Sequence, residues 1–271
     1  MPLPTFVIVG AQKSGTTTLH DWLGQVNGVW VSSPKELHYF DKLGKLEKLG
    51  RTDPDWYSRQ FTPGPDDVAW GESSPRYLYQ DDARAAMAAA LPEARFIAIL
   101  REPVSRAYSQ YWFARRKKTE KLETFEAAIQ AEERRRAAHP GAQPAVGSYL
   151  DRGRYYRQLV DLADRVGRER IQVHLTDDLR SDPIGVLKRT CAFIGASEPD
   201  PDVIVWKSKN TFAAPTINSE NPRYPAGPIE GQSGDAYPPL DPDFARALRA
   251  GFAEDNAKLA EWLGRDLGHW N

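Results

Sequence analysis

The pattern of apolar and polar positions along the chain predicts an α/β protein. Two runs, Phe6–Val9 and Arg95–Leu100, are apolar enough for strands that are covered on both faces of a parallel sheet. Further short strands are predicted at Val29–Val31 and from Val68 onward. Helical periodicity follows at Thr16–Val26, Asp81–Leu91, Phe125–Arg136 and Phe244–Trp262. The alternation predicts a central, mostly parallel sheet with helices on both faces.

The first strand passes directly into a loop of the kind that binds anions. A turn rich in glycine, lysine, serine and threonine occupies 10–15, and the next helix opens at Thr16. Backbone N–H groups in such a loop, and the dipole of the following helix, favour a negatively charged group. Lys13 adds a cation, while Ser14 and Thr17 add hydroxyl donors. The sequence therefore predicts a P-loop-like three-layer α/β fold that binds a phosphate-bearing nucleotide.

The position of the lysine in this loop argues against a nucleoside triphosphatase. Gly10 and Gly15 have the spacing of a Walker A loop, but Thr16 stands where its lysine should follow the second glycine. A nucleotide-dependent kinase of a small molecule would need that lysine and an acidic strand end for Mg²⁺. It remains an alternative, as do a non-catalytic nucleotide- or glycan-binding module and an ordinary strand–turn–helix junction.

A second candidate group follows the strand at Val29–Val31. The segment P-K-E-L-H-Y-F, residues 34–40, places Glu36 and His38 in a loop directly after a strand. Glu36 can accept a proton from a hydroxyl, and His38 is the alternative base. A solvated loop carboxylate, with His38 merely packed beside Tyr39, is also compatible with this pattern.

A third candidate group follows the strand at Arg95–Leu100. Arg101 lies at the carboxyl end of that strand, where ligands bind in open α/β sheets, and Ser109 lies eight residues further on. An arginine there can hold a second phosphate through a bidentate, charge-assisted pair. A surface arginine and a mid-helix serine would give the same pattern.

Three segments together carry a resemblance to one family. K-S-G-T-T at 13–17, P-K-E-x-H-Y-F at 34–40 and R-E-P-x-x-R-A-x-S at 101–109 resemble the sulfotransferases that use 3′-phosphoadenosine 5′-phosphosulfate (PAPS). The branch that they most resemble contains the heparan sulfate sulfotransferase domains and bacterial relatives. The resemblance implies one sulfotransferase domain over residues 1–271, which moves a sulfuryl group from PAPS to an acceptor hydroxyl on a carbohydrate or a secondary metabolite.

The resemblance also implies roles for individual residues. The 5′-phosphosulfate would be held by Lys13, Ser14, Gly15, Thr16 and Thr17. Lys13 would also neutralise the bridging oxygen as the S–O bond breaks, and Glu36 would be the general base with His38 next in line. The 3′-phosphate would be held by Arg101 and Ser109, and Lys207 and Lys209 would add phosphate contacts. The product would be adenosine 3′,5′-bisphosphate, and no metal would be required.

Two segments bear on the acceptor. Heparan sulfate sulfotransferases of this branch can carry a lysine in the segment that matches residues 71–77, where this chain has Ser73 with Arg76 nearby. The acceptor need not therefore be the same kind of anionic glycan. The Pro/Gly-rich stretch 213–243 has no clear periodicity, and we predict a loop that borders the acceptor site.

Composition narrows the class of protein further. The 271 residues carry 36 lysines and arginines against 37 aspartates and glutamates, which argues against a general nucleic-acid binder. The single cysteine, Cys191, excludes an intrachain disulfide and a cysteine zinc cluster, and its apolar surroundings predict a small buried residue. No secretory signal precedes Phe6–Val9, and no apolar run approaches the roughly 18 residues of a membrane span. These features predict a cytoplasmic protein without membrane or nucleic-acid partners; the oligomeric state is left open.

Overall fold

The computed structural model describes residues 2–43, 47, 54–144, 146–206, 215–217, 225–228 and 238–271. The chain forms two compact units. One consists of Met1–Arg101 and Tyr155–Lys207, and the other of Glu102–Arg154 and Ser208–Asn271. A single sulfotransferase domain over residues 1–271 stays a prediction.

Strands and helices follow one another in the predicted α/β order. The strands are β1 (Phe6–Gly10), β2 (Val29–Val31), β3 (Ala69–Ser73), β4 (Arg95–Leu100), β5 (Ile171–Leu175), β6 (Pro215–Ile217) and β7 (Pro225–Pro228). The helices are α1 (Thr16–Leu23), α2 (Pro54–Ser58), α3 (Asp81–Ala90), α4 (Pro103–Arg116), α5 (Phe125–Ala138), α6 (Tyr155–Val166), α7 (Thr176–Ser181), α8 (Pro183–Ile194), α9 (Pro242–Ala250) and α10 (Ala253–Leu263). Among the described residues, short 3₁₀ helices lie at Phe40–Lys42, Asp151–Gly153, Arg168–Arg170 and Gly268–Trp270.

A five-stranded sheet in the order β2-β3-β1-β4-β5 forms the centre of the first unit. All of its neighbouring strands are parallel, which confirms the predicted parallel sheet. Strands β2 and β3, which follow β1 in the chain, lie on one side of it in the sheet. The chain then crosses to the other side of β1, where β4 and β5 lie. Ligands of open α/β sheets bind beyond the carboxyl ends of the strands at such a reversal of strand order.

Both faces of this sheet are buried, as the continuous apolar runs predicted. One face of β1 and β4 packs against helices α1 and α8 in a single hydrophobic cluster, whose members include Phe6, Ile8, Ile97, Ile99, Leu19, Trp22, Val186 and Leu187. Successive strand side chains point to opposite faces. The alternate residues Val7, Val9, Phe96 and Ala98 are fully buried as well. Helices therefore cover both faces of the sheet.

The second unit contains α4, α5, α9, α10 and the antiparallel pair β6–β7. Aromatic residues of α4 and α5 form its core, with Tyr111, Phe125 and Tyr149 in one cluster. The predicted continuous helix Phe244–Trp262 is wrong, because α9 ends at Ala250 and α10 begins at Ala253. Gly251, a poor helix former, caps α9, and Phe252 is buried over Arg154 with the guanidinium 5.4 Å from the ring centre.

None of the helices among the described residues is long and apolar enough to cross a membrane.

Candidate active site

The loop between β1 and α1 has the backbone of an anion-binding loop. Gly15 precedes α1 with φ 102°, and Lys13 also has a positive φ, of 74°. A Cβ atom on Gly10 would lie 2.8 Å from Cβ of Leu78, so only glycine fits there. Within the described part of the chain, α1 has no acidic residue in its first turn and no side-chain cap. Its first N–H groups therefore remain available to an anion.

The side chains of this loop fit a phosphosulfate. Ser14 is fully buried, and its Oγ has no hydrogen-bond partner among the described residues. A buried hydroxyl left in that state costs about 1–3 kcal/mol, which an anion oxygen at the loop would offset. Thr16 is also buried, and Lys13 is half-buried. Uncapped amides, hydroxyl groups and one lysine make up a donor set that suits a dianionic oxygen cluster.

Thr176, at the start of α7, connects this loop to the neighbouring strand. Its Oγ1 donates to the backbone oxygen of Ser14 at 2.8 Å and lies 3.1 Å from the backbone oxygen of Leu100. Ala11 N–H adds a second link by donating to Ile99 O at 2.7 Å. The carboxyl ends of β1 and β4 are therefore held together at the point where strand order reverses.

Glu36 and His38 lie together in the loop after β2. The carboxylate of Glu36 lies 2.7 Å from Lys35 Nζ and 3.3 Å from His38 Nε2. The other ring nitrogen of His38, Nδ1, lies 3.0 Å from the buried carboxylate of Asp41, which also pairs with Arg76 at 3.2 Å. The two candidate bases thus belong to one row of charged side chains, in which positive and negative groups alternate.

This arrangement shifts both pKa values strongly. Burial raises the pKa of Glu36, but hydrogen bonds from His38 and Lys35 outweigh it and lower the pKa to about 2. Burial lowers the pKa of His38, but hydrogen bonds to Asp41 and Glu36 outweigh it and raise the pKa to about 9. At neutral pH Glu36 is therefore a carboxylate that can accept a proton, whereas His38 is an imidazolium, which cannot accept one.

Arg101 and Ser109 follow β4. Arg101 lies in the first unit, and its backbone oxygen accepts a hydrogen bond of 2.8 Å from the hydroxyl of Tyr155. Ser109 lies in α4 of the second unit and is buried. Their joint binding of a 3′-phosphate stays a prediction. Lys207 and Lys209 lie outside the described residues, as does most of the stretch 213–243.

The sequence model of the sulfotransferase domain family matches residues 3–260. The chain belongs to the sulfotransferase family. This membership confirms the family predicted from the three motifs. It favours sulfuryl transfer from PAPS, the reaction that the motifs imply, over the kinase alternative, whose lysine the loop lacks.

Known sulfotransferases resemble this chain over nearly its whole length. Human bifunctional heparan sulfate N-deacetylase/N-sulfotransferase 3 is 27% identical over 99% of the chain, and human heparan sulfate glucosamine 3-O-sulfotransferase 3B1 is 25% identical over 98%. The chain spans only 31% of the first protein and 65% of the second. The crystal structure of a sulfotransferase from Alicyclobacillus acidocaldarius superposes with a TM-score of 0.76 and 28% identity, covering 100% of this chain and 99% of that one. The predicted P-loop-like fold is thereby confirmed.

Asp41 and Thr176, which lie around the candidate site, were not singled out from the sequence, and the contact of Arg76 with Asp41 was not predicted. Asp41 and Arg76 extend the row of alternating charges beyond His38. Thr176 holds the loop between β1 and α1 through its hydrogen bond to Ser14 O. The spacing of Asp41, three residues after His38, is a local signal that an orienting carboxylate follows the imidazole. Arg76 and Thr176 reach the site from distant segments, so no local pattern identifies them. Ser73, the residue at the predicted departure from the family, is fully buried.

The sulfotransferase's single cysteine has the predicted environment. Cys191 is fully buried in the cluster between the sheet and α8, and burial raises the pKa of its thiol to about 11. The prediction of a small buried apolar residue is confirmed.

Proposed function

We propose that this chain transfers the sulfuryl group of PAPS to a hydroxyl on a carbohydrate or a secondary metabolite, with Lys13 and Glu36 as its central catalytic residues. The observation that carries the proposal is the pairing of two features in one compact unit. An uncapped, lysine-bearing anion loop follows β1, and an ionised Glu36 follows β2. Both strands end at the same edge of the sheet.

On the donor side, the loop binds and neutralises the leaving group. The amides of Gly15, Thr16 and Thr17 hold the 5′-phosphosulfate oxygens, while the Ser14 N–H donates to Ala11 O at 3.2 Å within the loop. The buried Ser14 hydroxyl finds in the phosphosulfate the partner that it lacks among the described residues. When the S–O bond breaks, its electron pair stays on the bridging oxygen. Lys13 stabilises that developing charge, which is where electrostatic catalysis acts most strongly.

On the acceptor side, Glu36 removes the proton. The acceptor oxygen attacks sulfur in line with the departing oxygen, and its hydrogen passes to the Glu36 carboxylate as the new O–S bond forms. His38 and Lys35 orient that carboxylate from both sides. His38 carries its proton at neutral pH, so its role is to position Glu36 rather than to accept the acceptor's proton.

The proposed acceptor class rests on relatives and on the chain's own departure from them. The two relatives that are named as heparan sulfate enzymes support a carbohydrate acceptor, and the one that is named a 3-O-sulfotransferase supports a hydroxyl group. In the segment where such relatives can carry a lysine, Arg76 is engaged with Asp41 and Ser73 is buried. An acceptor less anionic than heparan sulfate fits this environment.

Location in the cytoplasm remains part of the proposal, and cell fractionation tests it.

Calorimetry with nucleotides tests the proposed donor. We expect adenosine 3′,5′-bisphosphate to bind equally well with and without EDTA, and at least about tenfold more tightly than ATP with Mg²⁺, because the loop lacks the Walker lysine. Good binding of ATP with Mg²⁺ and none of the bisphosphate would overturn the proposed function and point to a kinase.

Arg101→Ala should weaken binding of adenosine 3′,5′-bisphosphate far more than binding of adenosine 5′-phosphate. Loss of a charge-assisted hydrogen bond costs about 1.5–3 kcal/mol, or roughly ten- to a hundredfold in affinity. Only the ligand with a 3′-phosphate should lose this hydrogen bond and the affinity that it provides. The matched control is Arg246→Ala, which removes an exposed guanidinium paired with Asp243 on α9. Equal losses for the two nucleotides would show that Arg101 does not read the 3′-phosphate.

A further inference from the structure

Glu72 is a fully buried carboxyl group for which the proposed reaction has no use. It lies in β3, the strand between β1 and β2. Burying a carboxylate without partners is very costly, so such a group is retained only where hydrogen bonds compensate it. Its surroundings therefore reveal what it holds in place.

Four donors surround this carboxyl group. The hydroxyls of Tyr57 and Tyr77 donate to Oε1 at 2.8 and 3.0 Å, and the hydroxyl of Ser74 donates to Oε2 at 2.6 Å. The backbone N–H of Leu37 is the fourth donor. Burial raises the pKa of Glu72, and these hydrogen bonds lower it in part. Four donors on two oxygens match the acceptor capacity of a carboxylate, which has no proton of its own to place.

Two of these hydroxyls also accept hydrogen bonds from the backbone of the candidate active site. Ser74 Oγ accepts the backbone N–H of His38 at 3.2 Å, and the Tyr77 hydroxyl accepts that of Tyr39 at 2.9 Å. Each hydroxyl gives its single proton to Glu72, which leaves a lone pair for the N–H group. Together with Leu37, three consecutive backbone N–H groups thus depend on one carboxylate.

The backbone that they hold needs such support. Glu36 and His38 have φ values of 65° and 54°, in the left-handed region that residues with a Cβ atom disfavour by roughly 1–2 kcal/mol each. Conformations of this kind persist when surrounding contacts determine them. Without the three anchored N–H groups, the segment could relax, and the side chains of Glu36 and His38 would separate.

We propose that Glu72 is a positioning residue, which holds the backbone of residues 37–39 through Ser74 and Tyr77 and so keeps Glu36 beside His38. The inference deepens the proposed function, because it assigns a support to the proposed base. A glutamine at position 72 would present an NH₂ donor to at least one hydroxyl that now donates. That hydroxyl would have to turn its proton away and could no longer complete the same relay.

A purely structural role must be separated from this one, since Glu72 also lies among packed aromatic rings. Tyr57 and Tyr77 supply a matched pair for that purpose. Both rings are buried, both contact Phe40, and both hydroxyls donate to the same Glu72 oxygen. Of the two hydroxyls, only that of Tyr77 relays to the backbone of Tyr39.

The test is an NMR titration of the His38 imidazole in the unaltered chain and in Glu72→Gln, Tyr77→Phe and Tyr57→Phe. The His38 signal is assigned by its loss in His38→Gln. In the unaltered chain we expect a pKa of about 9, set by Asp41 and Glu36 against Lys42. Glu72→Gln and Tyr77→Phe should lower this pKa toward 6.5, the ordinary value for histidine, because Glu36 moves away. Tyr57→Phe should leave it unchanged.

Thermal unfolding and calorimetry with adenosine 3′,5′-bisphosphate accompany the titration. Equal His38 titration curves in all four folded proteins would overturn the positioning role, and so would equal displacement by Tyr57→Phe and Tyr77→Phe. If Glu72→Gln does not fold, the comparison of Tyr77→Phe with Tyr57→Phe still decides whether the positioning role holds. The titration needs neither acceptor nor PAPS. Absence of bisphosphate binding by the unaltered chain would therefore count against the proposed function, while the titration would still decide whether Glu72 positions Glu36.

Discussion

Lys13→Met is expected to slow sulfuryl transfer by about two to three orders of magnitude, the usual loss when one donor to a developing charge is removed. Methionine keeps the unbranched, flexible stem of the side chain, one atom shorter, and removes the charge. The bridging oxygen gains most of its negative charge in the transition state, so the loss should fall on kcat. The loop amides remain, and binding of adenosine 3′,5′-bisphosphate should weaken much less. Initial rates with PAPS and an active acceptor, together with calorimetry, measure the two effects.

The matched control for this substitution is Lys258→Met. Lys258 is half-exposed on α10 and pairs with Glu254 one helical turn away, so its loss should leave both rate and affinity within about twofold. Equal losses of affinity and of kcat/KM in Lys13→Met, with kcat unchanged, would mean that Lys13 binds substrate and transition state alike. The proposed stabilisation of the leaving group would then be wrong.

Glu36→Gln is expected to lower kcat by about two to four orders of magnitude, the range for loss of a general acid or base. Glutamine preserves the shape of the side chain and can still accept a hydrogen bond from Lys35, but it cannot take the acceptor's proton. Binding of adenosine 3′,5′-bisphosphate should be unchanged. The control is Glu198→Gln, which alters a similar lysine–glutamate pair, with Lys188, on the surface. Near-normal turnover by Glu36→Gln with nucleotide bound would rule out Glu36 as the base and leave His38 as the candidate.

The pH dependence of kcat/KM separates the two bases independently. With a pKa of about 2, Glu36 is deprotonated throughout the neutral range, and a Glu36-dependent rate should be level from about pH 5 toward 9. With a pKa of about 9, His38 is protonated over the same range. A rate that depended on neutral His38 would instead rise about tenfold per pH unit until about pH 9. A rising limb of that kind would contradict the proposed assignment.

The elements that the sequence predicted best are those whose signal is local. The strand Arg95–Leu100 has the predicted bounds because an unbroken apolar run between polar ends determines it. The loop around Lys13 and the placement of Glu36 after a strand were likewise evident from short motifs. The prediction of one helix over Phe244–Trp262 was wrong because the apolar stripe continues past Gly251. In the structure the helix ends at Ala250, since burial of Phe252 against Arg154 outweighs the helical periodicity.

The supports of the site were beyond prediction for a physical reason. Arg76 and Glu72 act through partners that only the fold brings near, and a buried glutamate in a strand gives no warning in the sequence. Thr176 stands 162 residues from Ser14, whose carbonyl it holds. Chemistry that resides in one loop can be predicted from its residues, whereas the contacts that aim it depend on strand order and register.

The isolation of Cys191 makes this protein well suited to site-specific labelling. Thiol reagents attack the thiolate, and a fully buried thiol with a pKa of about 11 offers almost none at neutral pH. Since it is the only cysteine in the chain, the native protein should give almost no background with maleimide reagents. A single cysteine introduced at an exposed position would then carry one fluorophore or spin label. The distance from that label to a labelled nucleotide could be followed without first removing any native residue.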